Sequence, residues 1–216
     1  MLNEAKHVAV AVEKARQAGG DEVIVVDGGS NDGTLQFARE LNCVTVESPS
    51  GRGIQMNAGA GHATGDVVLF LHVDTWLVAD ACQQIRSLFQ QNPSAVRGCF
   101  RQRIENQKII YRLIEWGNRF RAHRMKLPYG DQAMFFRKRF FEEQGGFPDE
   151  VFLEDYIFSR RLRGSGQPVF LLDGPLFVSA RRWEKNGPLR QTFRNWAICR
   201  AHRRGSNPDE LEKQYR

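Results

Sequence analysis

The chain has 216 residues, of which 41% are hydrophobic, and a formal net charge of +6. This length carries one substantial core and excludes two comfortable domains, and no stretch approaches the roughly 20 apolar residues of a membrane span. The lack of an apolar signal-peptide core predicts a cytoplasmic protein, and Cys43, Cys82, Cys99 and Cys199 match no metal or redox spacing and read as buried free thiols.

In chain order, the first two-fifths alternates helix and strand. A helix is predicted over 5–18, a strand at 23–26, a helix over 34–41, a strand at 44, a helix over 54–63, a strand at 67–71 and a helix over 79–91. Alternation of this kind implies a parallel sheet with helices on both faces. Beyond Asn92 the rhythm changes to a strand near 95–104, an arginine-rich helix around 109–126 and a strand at 133–137. A helix over 154–163 follows, ended by Gly164 to Pro168, and short strands flank Asp173-Gly174-Pro175. Ile110, Leu113, Ile114, Gly117 and Phe120 share one side of the 109–126 helix, which reads as the side packed on the core in preference to an interfacial helix.

Three places carry candidate chemistry. The run Val23-Ile24-Val25-Val26 has the branching of a strand covered on both faces and leads through Asp27 into Gly28, Gly29 and Ser30. The glycines let a ligand approach the backbone, and Asp27 stays at the strand's carboxyl end, where open α/β sheets hold their ligands. An ordinary strand-turn-helix corner capped by Ser30 or Asp32 accounts for the same residues. At the end of the 67–71 strand, His72 and Asp74 stand two residues apart and would project to one side of an extended backbone, as ligands of a divalent ion do. A half-buried histidine with Asp74 or Thr75 as helix cap is the alternative. Glu154 and Asp155, at the mouth of a helix, either cap it or act on an attacking hydroxyl, one taking its proton while the other orients it.

Together with Leu2-Asn3-Glu4, Gly51-Arg52-Gly53, Met56-Asn57, Gly65-Asp66, Gly130-Asp131-Gln132 and Ser179-Ala180-Arg181-Arg182-Trp183, these pieces resemble the glycosyltransferase family 2 proteins of the GT-A fold. The resemblance spans almost the whole chain, and within the family it points to the small bacterial subgroup described as radical-SAM or selenodomain-associated transferases. It implies an α/β GT-A fold with a mostly parallel central sheet, helices on both faces and a mixed C-terminal half. The GT-A domain would cover 1–180 and a basic helical appendage 181–216. The implied activity is inverting transfer of a sugar from a nucleotide-diphosphate donor, with UDP favoured, to a hydroxyl acceptor. By position, Asp27, Gly28, Gly29 and Ser30 would face the base or ribose, with Arg52 and Asp66 nearby. Asp74 and His72 would hold Mn²⁺ or Mg²⁺ on the diphosphate, and Asp131 would touch the donor sugar. Asp155 would be the general base with Glu154 in reserve, and Arg181 and Arg182 would close over the diphosphate. Trp183 would stack on the acceptor, although a plain core tryptophan matches it equally.

Two departures from the family pattern stand out. The family begins with a strand ending in P-x-L-N-E, of which only Leu2-Asn3-Glu4 is present, so the first strand, which lies inside the sheet beside 23–26, is missing. The expectation is a native start upstream of Met1, or an unstable chain that binds nucleotide poorly. His72 stands where an aspartate is common, which implies a preference for Mn²⁺ over Mg²⁺. One rival reading is a degenerate transferase that serves as a binding subunit for an anionic surface or partner. Another is a nicotinamide-dependent dehydrogenase, with Gly51-Arg52-Gly53 as its turn and Asp74 about 20 residues on. Met56, however, stands where the third glycine belongs. Arginines crowd 101–126 and 181–204, yet the aromatics form no stacking platform along them, which argues against nucleic acid. A membrane at the 109–126 helix would make the protein peripheral at the inner face and the acceptor lipid-linked.

Overall fold

The computed structural model describes residues 1–150 and 152–215. Its first half runs α1 (Val8–Gln17), β1 (Ile24–Asp27), α2 (Thr34–Glu40), β2 (Val44–Glu47), α3 (Arg52–His62), β3 (Val67–Leu69), β4 (Thr75–Leu77) and α4 (Ala81–Gln91). The second half runs β5 (Arg97–Ile104), α5 (Ile109–Arg124), a 3-10 turn (Gly130–Gln132), β6 (Phe135–Arg137), α6 (Lys138–Glu143) and α7 (Glu154–Arg163). It continues through β7 (Phe170–Val178), α8 (Arg181–Asn186), α9 (Pro188–Arg203) and α10 (Pro208–Tyr215).

Strand β4 is additional to the sequence expectation. Three residues are too few to show a period, and Thr75-Trp76-Leu77 becomes a strand because it finds an antiparallel partner in β7. The two short strands expected around Asp173-Gly174-Pro175 are instead one strand. Its ladder with β5 is interrupted between Phe100 and Gln102, so Asp173 to Pro175 bulge out and pairing resumes at Leu176. Pro175, which has no N–H to donate, is accommodated in that bulge.

The strands form two sheets. β1 and β2 pair in parallel, while a mixed five-stranded sheet has the order β3-β6-β5-β7-β4, with β5 and β7 parallel and the other neighbours antiparallel. Strands β1 and β3 are not bonded to each other and wall a slot of about 500 Å³. Ala11, Val12 and Ala15 of α1 line it from one layer, and Met56, Gly59 and Ala60 of α3 from another. At its mouth, the Met1 amino group bonds the Val26 carbonyl, and the Met1 carbonyl accepts the Gly28 amide at 2.9 Å. Those are the two bonds that a parallel neighbour of Asp27 makes.

The core is aromatic. Phe136, Phe141, Phe147 and Phe158 meet at tilted and edge-on angles on one face of the larger sheet, and Phe100, Phe135, Ile104 and Leu176 form a second cluster. Helix α5 corrects the sequence reading. It buries Tyr111, Ile114 and Ala122, so Leu113 and Phe120, expected on the core side, are exposed. The 109–126 run carries two apolar stripes, and the one with the long aliphatic and aromatic side chains faces outward.

Candidate active site

The first turn of α3 gathers the site. Gln55 Nε2 donates to the carbonyls of Met1 at 2.9 Å and Val26 at 3.2 Å and lies against Gly28, where a Cβ would sit 2.9 Å from that nitrogen. Gly53, two residues earlier, abuts the start of α7, and a Cβ there would come within 2.4 Å of the Pro148 carbonyl oxygen and 3.3 Å of Glu154 Cβ. Asn57 fixes the same junction through two bonds to the Phe147 backbone, at 2.8 and 2.9 Å. The Asp27 turn and the Glu154-Asp155 pair therefore flank one end of α3. The dinucleotide reading of Gly51-Arg52-Gly53 fails on this packing, because the space a pyrophosphate would need beside Gly53 is filled by Pro148 and Glu154.

Asp27 is buried, and its Oδ2 accepts the amides of Gly29 at 3.0 Å and Ser30 at 2.8 Å. Burial pushes its carboxyl upward, but the bonds from Ser30 and Gly29 and the nearby Met1 amino group outweigh that and hold it below the usual carboxylate range. Asp27 Oδ1 is buried with no protein donor. Around it, Asn31 N–H bonds Asn3 Oδ1, and the Asn3, Glu4 and Ala5 amides bond Ser30 Oγ, Thr34 Oγ1 and Asp32 Oδ2. The Leu2-Asn3-Glu4 segment thus locks the turn, and the acceptor left open there is a carboxylate oxygen.

On the opposite wall, Asp155 Oδ2 accepts the Gly130 amide at 2.6 Å, and Oδ1 accepts the Tyr156 amide at 2.6 Å. A Cβ on Gly130 would lie 2.8 Å from His72 Nε2 and 3.1 Å from Asp155 Oδ2, so the imidazole and the carboxylate flank this glycine. Burial and then the Arg52 charge push the His72 pKa down against the pull of Asp74, Asp155 and Asp131, leaving a neutral ring with a lone pair to offer. Gln102 Nε2 holds the Asp131 carbonyl at 2.7 Å, and Asp131 Oδ1 is the second buried carboxylate oxygen without a protein donor. Leu153 (φ 66°) and Ala133 (φ 46°) occupy left-handed backbone beside Asp155 and Asp131, a strain of roughly 1–3 kcal/mol each of the kind that accumulates at functional sites.

Replacing Gly130 by alanine is expected to displace His72 and Asp155 together. A misplacement of this size costs on the order of 100-fold in turnover, to be read as kcat with circular dichroism confirming the fold.

Glu154 is 2% exposed, and burial, reinforced by the Asp155 charge, pushes its carboxyl up to about 7. A folded-state value above the unfolded one means that stability is fully present below the unfolded pKa of about 4.3 and falls as pH rises toward 7. Glu154→Gln should flatten that slope and melt higher than the parent above pH 7 by the equivalent of about 3 kcal/mol; melting of the ligand-free protein across pH checks it.

The remaining expected residues do not all sit as the sequence reading placed them. His72 and Asp74 do not share an extended backbone, because β3 ends at Leu69 and the chain turns, with the Thr75 amide and hydroxyl bonding the His72 carbonyl at 3.2 and 2.9 Å. Asp74 faces outward, 49% exposed and 3.9 Å from Arg181. Asp66 precedes β3 at its far end, roughly 20 Å of extended chain from His72, and its carbonyl serves to accept the Lys138 amide. Trp183 is the core tryptophan, buried edge-on against Tyr111. Arg52 opens α3, and Arg181 and Arg182 open α8 on the exposed surface. Among the described residues, no three His, Cys, Asp or Glu side chains converge as a metal cage. Sequence reasoning missed Gln55, Gln102 and the tyrosines Tyr129 and Tyr156, whose hydroxyls reach Cys199 of α9; for Gln55 and Gln102, a polar residue among apolar neighbours on α3 and β5 is the signal the sequence offers.

Comparison with known proteins agrees with this geometry. The family model described as glycosyl transferase family 2 matches residues 1–148. The glycosyltransferase AglJ of Haloferax volcanii is 36% identical over 89 residues, which cover 40% of this chain and 29% of AglJ. The chain thus spans under a third of that relative. Among solved structures, S. aureus TarS superposes with a TM-score of 0.63 at 18% identity, over 83% of this chain and 35% of TarS. Its 1–349 fragment gives 0.64 at 16% identity, over 93% and 63%. A mycobacterial protein gives 0.53 at 18% identity, over 83% and 62%. At these identities the structures share the fold.

Proposed function

The chain belongs to glycosyl transferase family 2, and from that premise we propose that it moves a sugar from a nucleoside-diphosphate donor, UDP-linked by preference, to a hydroxyl acceptor with inversion. The observation that carries the donor reading is the pair of buried, donor-less carboxylate oxygens, Asp27 Oδ1 and Asp131 Oδ1. Buried acceptors call for a partner, and a base N–H or ribose hydroxyl at Asp27 and a sugar hydroxyl at Asp131 would supply it.

Asp155 is the general base. It is half-exposed where Glu154 is sealed, so an acceptor hydroxyl can reach it, and Gly130 and Tyr156 fix its orientation. As the hydroxyl attacks the anomeric carbon from the face opposite the leaving diphosphate, its proton passes to Asp155. Arg52, Arg181 and Arg182 provide positive charge for the departing oxygen. Asp74, as the exposed carboxylate, and His72, as the neutral nitrogen, would hold a divalent ion. Such an ion would neutralise charge growing on the bridging oxygen. The appendage from Arg181 onward is part of the same proposal, because Cys199 of α9 backs the wall that bears Asp155.

The test is hydrolysis and transfer from a panel of nucleotide sugars with Mn²⁺, with Mg²⁺ and with chelator. UDP-sugar turnover that is highest with Mn²⁺ and lost in chelator is the expected result, and undiminished turnover in chelator would remove the metal from the scheme.

A further inference from the structure

Helices α5 and α9 each carry an outward stripe that the transferase chemistry leaves unused. On α5, Ile109, Leu113, Trp116 and Phe120 recur at helical spacing on the side away from Tyr111, Ile114 and Ala122. On α9, Leu189, Phe193 and Trp196 repeat the spacing opposite the buried Gln191 and Ile198. Trp116 is 67% exposed and Trp196 60%. The rings are already ordered, Trp116 stacked on Phe120 at 6.0 Å and Phe193 edge-on to Trp196 at 5.6 Å. Exposed aromatic and aliphatic stripes of this kind mark a contact site.

Charge decides what the contact is. Helix α9 has no acidic residue between Pro188 and Arg203. The single carboxylate of α5, Glu115, is turned inward, bonded to the Ile104 amide and paired with Arg103 and Arg112. Exposed Arg119, Arg124, Arg190, Arg200 and Arg203 accompany the stripes. Arg190 and Arg194, with Asn186 and Gln191, line a recess of about 370 Å³ at the start of α9.

We propose that the α5 and α9 stripes dock on an anionic phospholipid bilayer, the tryptophans, phenylalanines and leucines entering the boundary between headgroups and acyl chains while the arginines meet lipid phosphates. Tryptophan and arginine suit that boundary because each joins an apolar body to a polar tip. Neither helix is long and apolar enough to cross a membrane, so they lie on it. A second copy of the chain fits less well: an isologous contact would set the arginines of each copy against their own images with no outward-facing acid on either helix to pair them. Docking would hold the active site at the surface through Cys199, whose carbonyl and sulfur accept the Tyr156 and Tyr129 hydroxyls. The inference stands apart from the transferase reading, since binding is measured without donor or acceptor.

The experiment is co-sedimentation of the full chain with vesicles of phosphatidylcholine alone and of three parts phosphatidylcholine to one part phosphatidylglycerol. Sedimentation with the mixed vesicles, weakened by salt, is expected. The double substitutions Trp116→Ser with Phe120→Ser, and Phe193→Ser with Trp196→Ser, should each weaken it about ten-fold or more. Arg119→Glu with Arg200→Glu should weaken it as well. Because these side chains are exposed, unchanged melting temperatures will confirm intact folds. Absence of binding to the mixed vesicles overturns the proposal, as does equal binding by parent and variants. A dimer in light scattering that these substitutions dissolve, with no vesicle binding, assigns the face to self-association instead.

Discussion

Asp155→Asn is expected to lower transfer by about 100- to 10,000-fold, the range by which a general base contributes, while leaving donor affinity close to that of the parent. The split follows from the division of labour in the site. In the proposed scheme the donor is held by Asp27 Oδ1 and Asp131 Oδ1, the buried carboxylate oxygens without a protein donor, and the substitution touches neither. The amide keeps the size of the carboxylate and one acceptor oxygen, so either the Gly130 or the Tyr156 N–H loses its partner. That costs roughly 1–3 kcal/mol of stability and must be controlled by working well below the melting temperature. Glu154→Gln provides the contrast. Glu154 is sealed beneath Gly53 and holds its proton up to about 7, so its loss should alter the pH dependence of stability more than turnover. Rates and nucleotide binding measured on both variants separate the roles. Were Asp155→Asn to retain full transfer while Glu154→Gln lost it, the base assignment would pass to Glu154.

The parts of this site legible in the sequence are those fixed by local pattern. A β-branched run ending in Asp27 and two glycines predicts a strand and a turn, and Glu154-Asp155 ahead of an amphipathic run predicts the start of a helix; both stand where pattern puts them. What pattern cannot carry is direction at the end of an element. His72 and Asp74 looked like one face of a strand because the apolar run continues through Leu71, but pairing with β6 covers Val67 to Leu69 and the carbonyl of Phe70's partner Met134, after which the chain turns. The same limit applies to α5, where a helical stripe of Leu113 and Phe120 is as consistent with a surface as with a core until the opposite stripe is seen to be buried. Asp66, which the resemblance sets near the nucleotide, instead precedes β3 at the end away from His72, because a residue ahead of a strand is carried the whole length of that strand from its carboxyl end. Gln55, by contrast, acts through a contact with Met1 54 positions away, and no local pattern announces such a bond.

Supplying a parallel β-strand ahead of Met1 should raise the melting temperature by on the order of 10 °C or more. The slot between β1 and β3 dictates this. Val23 and Asp27 direct their carbonyls to β2, where the Val44 and Ser48 amides meet them, so by alternation the backbone groups of Ile24 and Val26 face the slot. On the other side, the Asp66 carbonyl accepts the Lys138 amide of α6 and the Phe70 amide donates to the Met134 carbonyl just ahead of β6, which turns the groups of Val67 and Leu69 toward the same space. A strand entering between them would pair with both edges. Met1 already makes the first two bonds of such a ladder, and it does so with an ammonium whose pKa burial pushes down. Converting that ammonium to a peptide N–H removes a desolvated charge without losing the bond. Five or so new backbone bonds at about 1 kcal/mol each, together with apolar side chains filling about 500 Å³ between α1 and α3, amount to at least 5 kcal/mol, and each kcal/mol moves the midpoint by about 2–4 °C in a domain of this size. The added residues should be a continuous apolar run, since Val12 and Ala15 lie over one face and Met56 and Ala60 over the other. A fusion of four or five valines and isoleucines, joined by Leu-Asn-Glu-compatible geometry at Met1, is therefore expected to melt higher and to bind UDP more tightly, because the strand would also stiffen the Asp27 turn from its open side. A control with alternating lysines should gain nothing. If the apolar extension and the lysine control melt alike, the slot does not accept a strand, and the two sheets are as stable apart as joined.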